Sequence, residues 1–365
     1  MTNKKKYTKD EIPSLMWNEH IRLRPGMYLG RVNIKGFVEL LKGLYSNVLN
    51  DLKSDSISFE ITKPNSAVLS VTNIKSIVVD NWSKWDHNSH RTNPFILEFQ
   101  TLNALSERFK INLLDKDHNC IYKQEYGKGV FINGDQGKNQ IRCSEMEINF
   151  TLDKEIWGDQ FNWNENFISH EISEFAYLHK KVKFKFLYQV GNENCNIIYH
   201  FKNGLSDRLE IEKLRGLGGS YFETTIDEQI NDFRIEIAFA FRDYTVDEPF
   251  LRSFVNDYYT HENGSHVDGL LKGLTYGVMK YFQKNNLTEV FKISEKGMKE
   301  NLIAAINIRM NEPVFSGCVK NKLANSEIIE PIANHVSNVL FKKFEQNEES
   351  TKKLIQKFKI GDNTI

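Results

Sequence analysis

The chain has 365 residues, 40% hydrophobic and 26% charged, with Lys plus Arg and Asp plus Glu equal at 48 each. This length is too great for one compact core, so two domains are expected, and the balanced charge excludes broad electrostatic binding of nucleic acid by the whole surface. No apolar window approaches a membrane helix, no apolar stretch follows the basic start MTNKKKY as in a signal peptide, and Cys120, Cys143, Cys195 and Cys318 are scattered like free thiols of a cytoplasmic protein.

From the N-terminus, residues 7–30 mix polar residues with the apolar anchors Ile12, Leu15, Met16 and Trp17, and close on a Pro25-Gly26 turn. Residues 36–53 place Phe37, Leu40, Leu41, Leu44, Val48, Leu49 and Leu52 on one helical face. Alternation predicts strands over 57–62 and 67–72, joined at Pro64-Asn65-Ser66. Residues 80–95 are polar and irregular. A helix is expected over 95–109, then strands at 110–115, 120–125, 129–133 and 146–151, with Asn133-Gly134 as a hairpin signal. A helix over 165–180 and strands at 182–189 and 196–202 follow. Arg215–Ser220 (RGLGGS) reads as a linker. Beyond it come strands at 221–227, 232–241 and 252–257, a helix at 265–285, a strand at 302–310 and a helix at 327–345. The last fifteen or so residues are Lys-rich and polar, with the look of a fraying helix.

Three ordered segments carry a family resemblance. They are Ile12–Gly30 (IPSLMWNEHIRLRPGMYLG), Ser253–Asn256 (SFVN) with Gly264–Gly269 (GSHVDG), and Glu312–Glu327 (EPVFSGCVKNKLANSE). The chain resembles the N-terminal ATPase and transducer region of bacterial type IIA topoisomerase B subunits (gyrase and topoisomerase IV), which are GHKL ATPases. The resemblance implies an α/β (α+β) fold: a GHKL (Bergerat) α/β sandwich, then a transducer of the ribosomal S5 domain 2 type. The expected division is 1–214 for the ATPase-like domain, with a dimerisation arm at 7–30, then 215–350 for the transducer and 351–365 for a polar tail. Tyr7, Ile12, Arg24, Pro25, Gly26, Met27 and Tyr28 are the arm residues the resemblance implies. The family's metal-binding, DNA-cleavage module would begin about where this sequence stops.

An ATPase of this kind needs a general base to activate water, a hard oxygen ligand for magnesium, a carboxylate to read adenine, and glycines whose backbone wraps phosphates. The family helix Glu-x-x-Asp-Asn-x-x-Asp-Glu matches Gly43–Asp51 (GLYSNVLND). The base position is therefore Gly43, which has no group to take a proton. Asn47 keeps the magnesium-ligand position and Asp51 a carboxylate. The motif Asp-x-Gly-x-Gly-Ile-Pro matches Asn73–Val78 (NIKSIV): Asn73 replaces the adenine-reading acid, both glycines are gone, and Lys75 is left to pair with Asp51. The lead-in to the phosphate-lid helix, Asn93–Phe99 (NPFILEF), lacks glycine, and Phe95, Ile96 and Glu98 put bulk and negative charge where phosphates belong. The adenine-lining Gly-Thr corresponds to Glu145-Met146. The switch loop Gln-x-Lys becomes Cys318-Val319-Lys320, leaving Lys320 for a γ-phosphate.

Plainer readings stand beside these. Asn47 reads more simply as a helix residue bonded within a collapsed pocket, and His266 as a packing residue. The Gly216–Gly219 run lacks a following Gly-Lys-Ser/Thr and fits a linker. Trp82, Trp85, His87 and His90 fit as filler where the lid once lay, and Lys4–Lys6 as a solvated tail.

The leading expectation is a non-hydrolysing paralogue lacking the DNA-cleavage module. It forms a homodimer, or a heterodimer with a topoisomerase B subunit, and so regulates or protects the topoisomerase. The alternative is a divergent ATPase subunit of an ATP-hydrolysing DNA topoisomerase, using Asn47, Asp51, Lys75 and Lys320 with Glu39 as a replacement base. A DNA clamp working through the transducer cavity ranks third. ATP and Mg are the cofactors the resemblance implies, and the missing groups put their retention in question.

Overall fold

The computed structural model describes residues 15–79, 95–135, 140–191, 193–214, 219–244, 249–287, 295–317 and 320–360. The chain forms two compact units, Met1–Phe201 and Lys202–Ile365.

The first unit is built on an eight-stranded sheet. Its strands are β1 (Ser56–Lys63), β2 (Ser66–Thr72), β4 (Ser106–Leu114), β5 (Cys120–Gly127), β6 (Val130–Gly134), β8 (Glu145–Leu152), β9 (Lys183–Val190) and β10 (Glu193–Tyr199). β3 (Ile77–Val79) and β7 (Gln140–Arg142) form a separate ribbon. The strand order is β10-β9-β1-β2-β8-β4-β5-β6, with β1 and β9 parallel and the other pairs antiparallel. Alternation decides which face is covered. Ile57, Phe59 and Ile61 of β1, Leu69 and Val71 of β2, Ile111 and Leu113 of β4, and Ile148 and Phe150 of β8 are all buried. The register lines them up, with Phe59 opposite Leu69 and Phe186, and Ile148 opposite Leu69 and Ile111.

The helix Ile34–Asn47 lies against this core, its N-terminus capped by the Asn33 side chain, which accepts from the amides of Lys35 and Gly36. Phe37 is its anchor. The ring meets Trp163 at 4.9 Å, Phe59 and Trp157 at 6.0 Å, and Phe150 at 6.1 Å between centroids. The helix Phe95–Ala104 adds the buried Phe99 and Leu102. The sequence suggested a helix as far as Phe109, but Ser106–Leu114 pairs with β8 and the helix gives way there. The segment 80–94, with Trp82, Trp85, His87 and His90, lies outside the described residues, as do Lys4–Lys6.

The second unit has a five-stranded sheet in the order β11-β12-β15-β13-β14. The strands are β11 (Ser220–Ile230), β12 (Phe233–Arg242), β13 (Phe250–Val255), β14 (Tyr258–Tyr259) and β15 (Leu302–Arg309). Helices Ser265–Lys284 and Ile329–Gln346 pack together in this unit. Gly269, Gly273 and Gly277 make the close approach. A Cβ on them would stand 2.9 Å from Ile332 Cβ, 2.7 Å from Val336 Cβ and 3.0 Å from Leu340 Cβ respectively.

The units divide at 201/202 rather than at 214/215. The helix Leu205–Leu214 belongs to the second unit, where Leu205 and Leu209 are buried and the Arg208 guanidinium lies 4.8 Å from the Phe250 ring centroid. Of the expected linker, 215–218 lies outside the described residues. The C-terminal stretch expected as a polar, fraying helix is helical over Glu348–Ile360, but it buries Thr351, Leu354, Ile355 and Phe358.

The glycine stripe makes a prediction. Gly273→Leu lowers stability by about 1–3 kcal/mol through overpacking, read as a fall in the thermal unfolding midpoint. Gly317→Ala, whose Cβ would meet nothing within 4 Å, leaves that midpoint unchanged.

Candidate functional site

The residues singled out by sequence are spread over several elements of the first unit, with Lys320 on a loop and His266 on a helix of the second. Gly43 and Asn47 sit four residues apart on the half-buried flank of the Ile34–Asn47 helix. The helix then widens into a π-turn, Val48–Leu52, ended by Lys53 in the left-handed conformation (φ 51°). Asp51 lies in that turn. It is largely exposed, yet partial shielding raises its carboxyl above the usual value.

Lys75 does not pair with Asp51. Its Nζ donates to Asp55 Oδ2 at 3.1 Å, and Asn73 Nδ2 donates to Asp55 Oδ1 at 2.9 Å. The register explains this: β1 and β2 begin their ladder with Ser56 opposite Thr72, so Asp55 lies just beyond, beside Asn73. The two donors, Asn73 first and then Lys75, hold the Asp55 carboxyl below its ordinary range. Asn73 itself has φ 57°, a conformation that Asn tolerates better than most side chains. It is therefore committed to a local ion-pair cluster on an exposed turn.

The group facing Gly43 and Asn47 is Glu98, in the first turn of Phe95–Ala104. Asn47 Nδ2 donates to Glu98 Oε2 at 2.8 Å. A Cβ built on Gly43 would lie 2.9 Å from Glu98 Cγ and 3.4 Å from Oε1. Glu98 thus occupies the space that a side chain at position 43 would need. Glu39, the replacement base considered from sequence, is exposed and bonded to Lys42 Nζ at 3.2 Å, while Lys42 also reaches Glu171 at 2.5 Å. Glu145 Oε2 lies 3.1 Å from His118 Nδ1 and Met146 is buried in the sheet.

The arm segment is built on a polar clamp that sequence reasoning missed. Arg22, on the helix Trp17–Leu23, donates to the Ala104 carbonyl at 2.9 Å and to Asp153 at 2.7 Å, and reaches Glu155 at 3.2 Å. Lys128 joins the same acids, and Asn18 Nδ2 donates to the Lys128 carbonyl. A Cβ on Gly129 would stand 2.5 Å from Asn18 Cβ, so the helix sits directly on the β5–β6 turn. Arg24 and Pro25 then bend the chain into the short helix Gly26–Leu29, where Tyr28 Oη meets His20 Nδ1 at 2.7 Å. Leu23 and Met27 are 65% and 67% exposed, and Leu15 and Met16 are exposed as well. Tyr7 and Ile12 lie outside the described residues.

In the second unit, the Glu312–Glu327 loop is tied to the start of the Ser265–Lys284 helix. Leu323 N donates to the Asn263 carbonyl, Ser265 N donates to the Leu323 carbonyl, and Asn325 Oδ1 accepts from Val314 N at 2.7 Å. Lys320 has φ 56° and its Nζ lies 4.1 Å from the centroid of the Tyr258 ring, a cation–π contact within its own unit. Cys318 and Val319 lie outside the described residues. His266 is fully buried beside Thr260 Oγ1, and burial pushes its pKa down to about 3, so it stays neutral as a packing residue.

Among the described residues no cluster of three or more His, Cys, Asp or Glu could hold a metal, and no helix is long and apolar enough to cross a membrane. The Asn47 side chain carries a single amide oxygen, and its nitrogen donates to Glu98 Oε2.

These two units define the class: a GHKL-type α/β sandwich followed by a transducer of the ribosomal S5 type, the ATPase-region fold of type IIA topoisomerase B subunits. The 43K ATPase domain of Thermus thermophilus gyrase B, solved with an aminocoumarin, matches with TM-score 0.76 at 16% identity, covering 94% of this chain and 95% of that one. The ATP-binding domain of Francisella tularensis topoisomerase IV, solved with a small-molecule inhibitor, matches with TM-score 0.71 at 20% identity, covering 94% and 96%. The DNA gyrase B family model matches residues 164–363, and the chain belongs to that family. Curated relatives include the gyrase B subunits of Campylobacter jejuni, 28% identical over 96% of this chain and 48% of the relative, and of Spiroplasma citri, 25% identical over 97% and 59%. The chain spans about half the length of these relatives.

The Arg22 clamp gives a pH-dependent prediction. Burial alone would raise the Asp153 carboxyl, but hydrogen bonds from Arg22 and the Glu155 amide, with the charges of Arg22 and Lys128, hold it below its ordinary value of 3.8. A carboxyl lowered in the folded state stabilises above its unfolded pKa, and that stability is lost as pH falls through the folded value. Arg22→Ala therefore costs about 2 kcal/mol at neutral pH. In urea unfolding, the gap from wild type narrows as the pH drops below 3.8.

Proposed function

We propose that the chain is a non-hydrolysing paralogue of the type IIA topoisomerase B subunit. It acts in the cytoplasm, dimerises with itself or with a catalytic B subunit, and regulates or protects the topoisomerase. The observation that carries this reading is the glycine at position 43, its space filled by Glu98 and the neighbouring Asn47 amide committed to that carboxylate. A hydrolytic site needs a base within hydrogen-bond reach of the attacking water, and position 43 has no side chain to supply one. Glu39 is engaged with Lys42, and Asn73 and Lys75 with Asp55.

The dimerisation side of the proposal draws on the arm segment. Leu15, Met16, Leu23 and Met27 expose apolar surface next to the Arg24–Tyr28 motif. A helix pinned by Arg22 presents them on a fixed base. Exposed apolar side chains grouped on one segment fit a protein interface, and the second subunit of a clamp is the partner this family resemblance suggests.

Two measurements test the reading. A steady-state assay of the purified chain with ATP and magnesium yields no turnover above blank; turnover that Lys320→Ala abolishes would sink the proposal. Capture from native lysate with the tagged chain recovers a gyrase or topoisomerase IV subunit, and the surface variant Leu23→Glu/Met27→Glu recovers at least tenfold less. Recovery of no such subunit counts equally against it.

A further inference from the structure

Glu98, as placed, and a side chain at position 43 compete for one space. With a Cβ at position 43, Glu98 Cγ would stand at 2.9 Å and its carboxylate atoms Oε1 and Cδ at 3.4 and 3.5 Å, so any side chain there displaces Glu98. The carboxylate is also delivered by a fixed element. Phe99 and Leu102 bury the Phe95–Ala104 helix, and Glu98 stands in its first turn, where the helix dipole favours a negative charge. Asn47, one helical turn beyond Gly43, closes the arrangement by donating Nδ2 to Glu98 Oε2 at 2.8 Å. A glycine, an amide and a carboxylate on two packed helices thus fit one another.

We propose that Glu98 is an internal occupant of the space beside Asn47 and Gly43, an acidic plug that excludes a magnesium nucleoside triphosphate. This rests on the reading above that Gly43 and Asn47 hold the positions of a nucleotide site. The carboxylate holds the Asn47 amide, fills the space above Gly43, and presents negative charge to an incoming phosphate chain. It thereby keeps the first unit in one conformation whatever the nucleotide concentration. Glu98 is the residue that sets which ligands this space rejects, and removing it opens room for an anion.

The experiment compares the full-length wild type with Glu98→Gln and Glu98→Ala in calorimetric titrations with a non-hydrolysable ATP analogue and magnesium. Glu98→Gln keeps the side-chain shape but loses the charge; Glu98→Ala removes both. Each variant binds at least tenfold more tightly than wild type. A thermal-unfolding cycle checks the packing independently of any ligand: Gly43→Ala lowers the midpoint in the wild-type background and not in the Glu98→Ala background. Two results overturn the plug. One is affinity no greater in either variant than in wild type. The other is ATP turnover by the wild type that Glu98→Gln abolishes, which would make the carboxylate a working base. Capture of a topoisomerase subunit by wild type and Glu98→Ala alike bears on the broader reading alone, so the two proposals fail separately.

Discussion

The packing of Phe37 fixes the first unit. Its ring sits among Phe59, Phe150, Trp157, Phe161 and Trp163, joining the Ile34–Asn47 helix to two strands of the sheet and to the chain that follows β8. Aromatic pairs of this kind contribute about 0.5–1.5 kcal/mol each beyond the area they bury, so the helix has one orientation on the sheet. With Phe37, Leu40, Leu41 and Leu44 turned to the core, positions 43 and 47 must lie on the flank. That flank meets Glu98. The site's geometry is therefore set by a core that contributes nothing to its chemistry.

The second unit depends on a different constraint, the closeness of two helices. Gly269, Gly273 and Gly277 give up helix propensity, at about 1 kcal/mol each relative to Ala, and in return Ile332, Val336 and Leu340 settle against bare backbone. The same helix begins at the Gly264-Ser265 turn that anchors the Glu312–Glu327 loop. Packing between the helices and placement of the loop are thus coupled through one element. Lys320 emerges from that loop and rests on Tyr258, a neighbour that neither its spacing nor its charge announced.

Most strands were legible because their alternation has a single cause, one covered face. β1, β2, β8 and β9 carry that pattern without interruption. What escaped the sequence was set by partners distant along the chain. Residues 106–109 contain good helix formers and became strand only through pairing with β8. Leu205–Leu214 is half charged and buries few residues, so its apolar signal is thin. Leu354, Ile355 and Phe358 were hidden by the lysines around them. At the site, the missing groups were readable one position at a time. Their replacements were not: Glu98 bonds a residue 51 positions away, and Asp55 captures Lys75 only because the β1–β2 register puts it there.

Glycine in the interior of an exposed helix is ordinarily a loss, since Ala restricts the unfolded chain and Gly does not. Gly43 is half-buried, and the atoms nearest its absent Cβ all belong to Glu98. The balance at position 43 is therefore struck against one side chain. Glutamates at both 43 and 98 would bring two carboxylates into the same few ångströms, where like charges cannot both stay ionised without strong repulsion. A hydrolytic base at 43 and Glu98 in its present position would compete for the same space, so each residue constrains what the other can be. The fold tolerates the exchange because Phe37 and the sheet hold the helix in place, and neither residue of the pair contributes to that core.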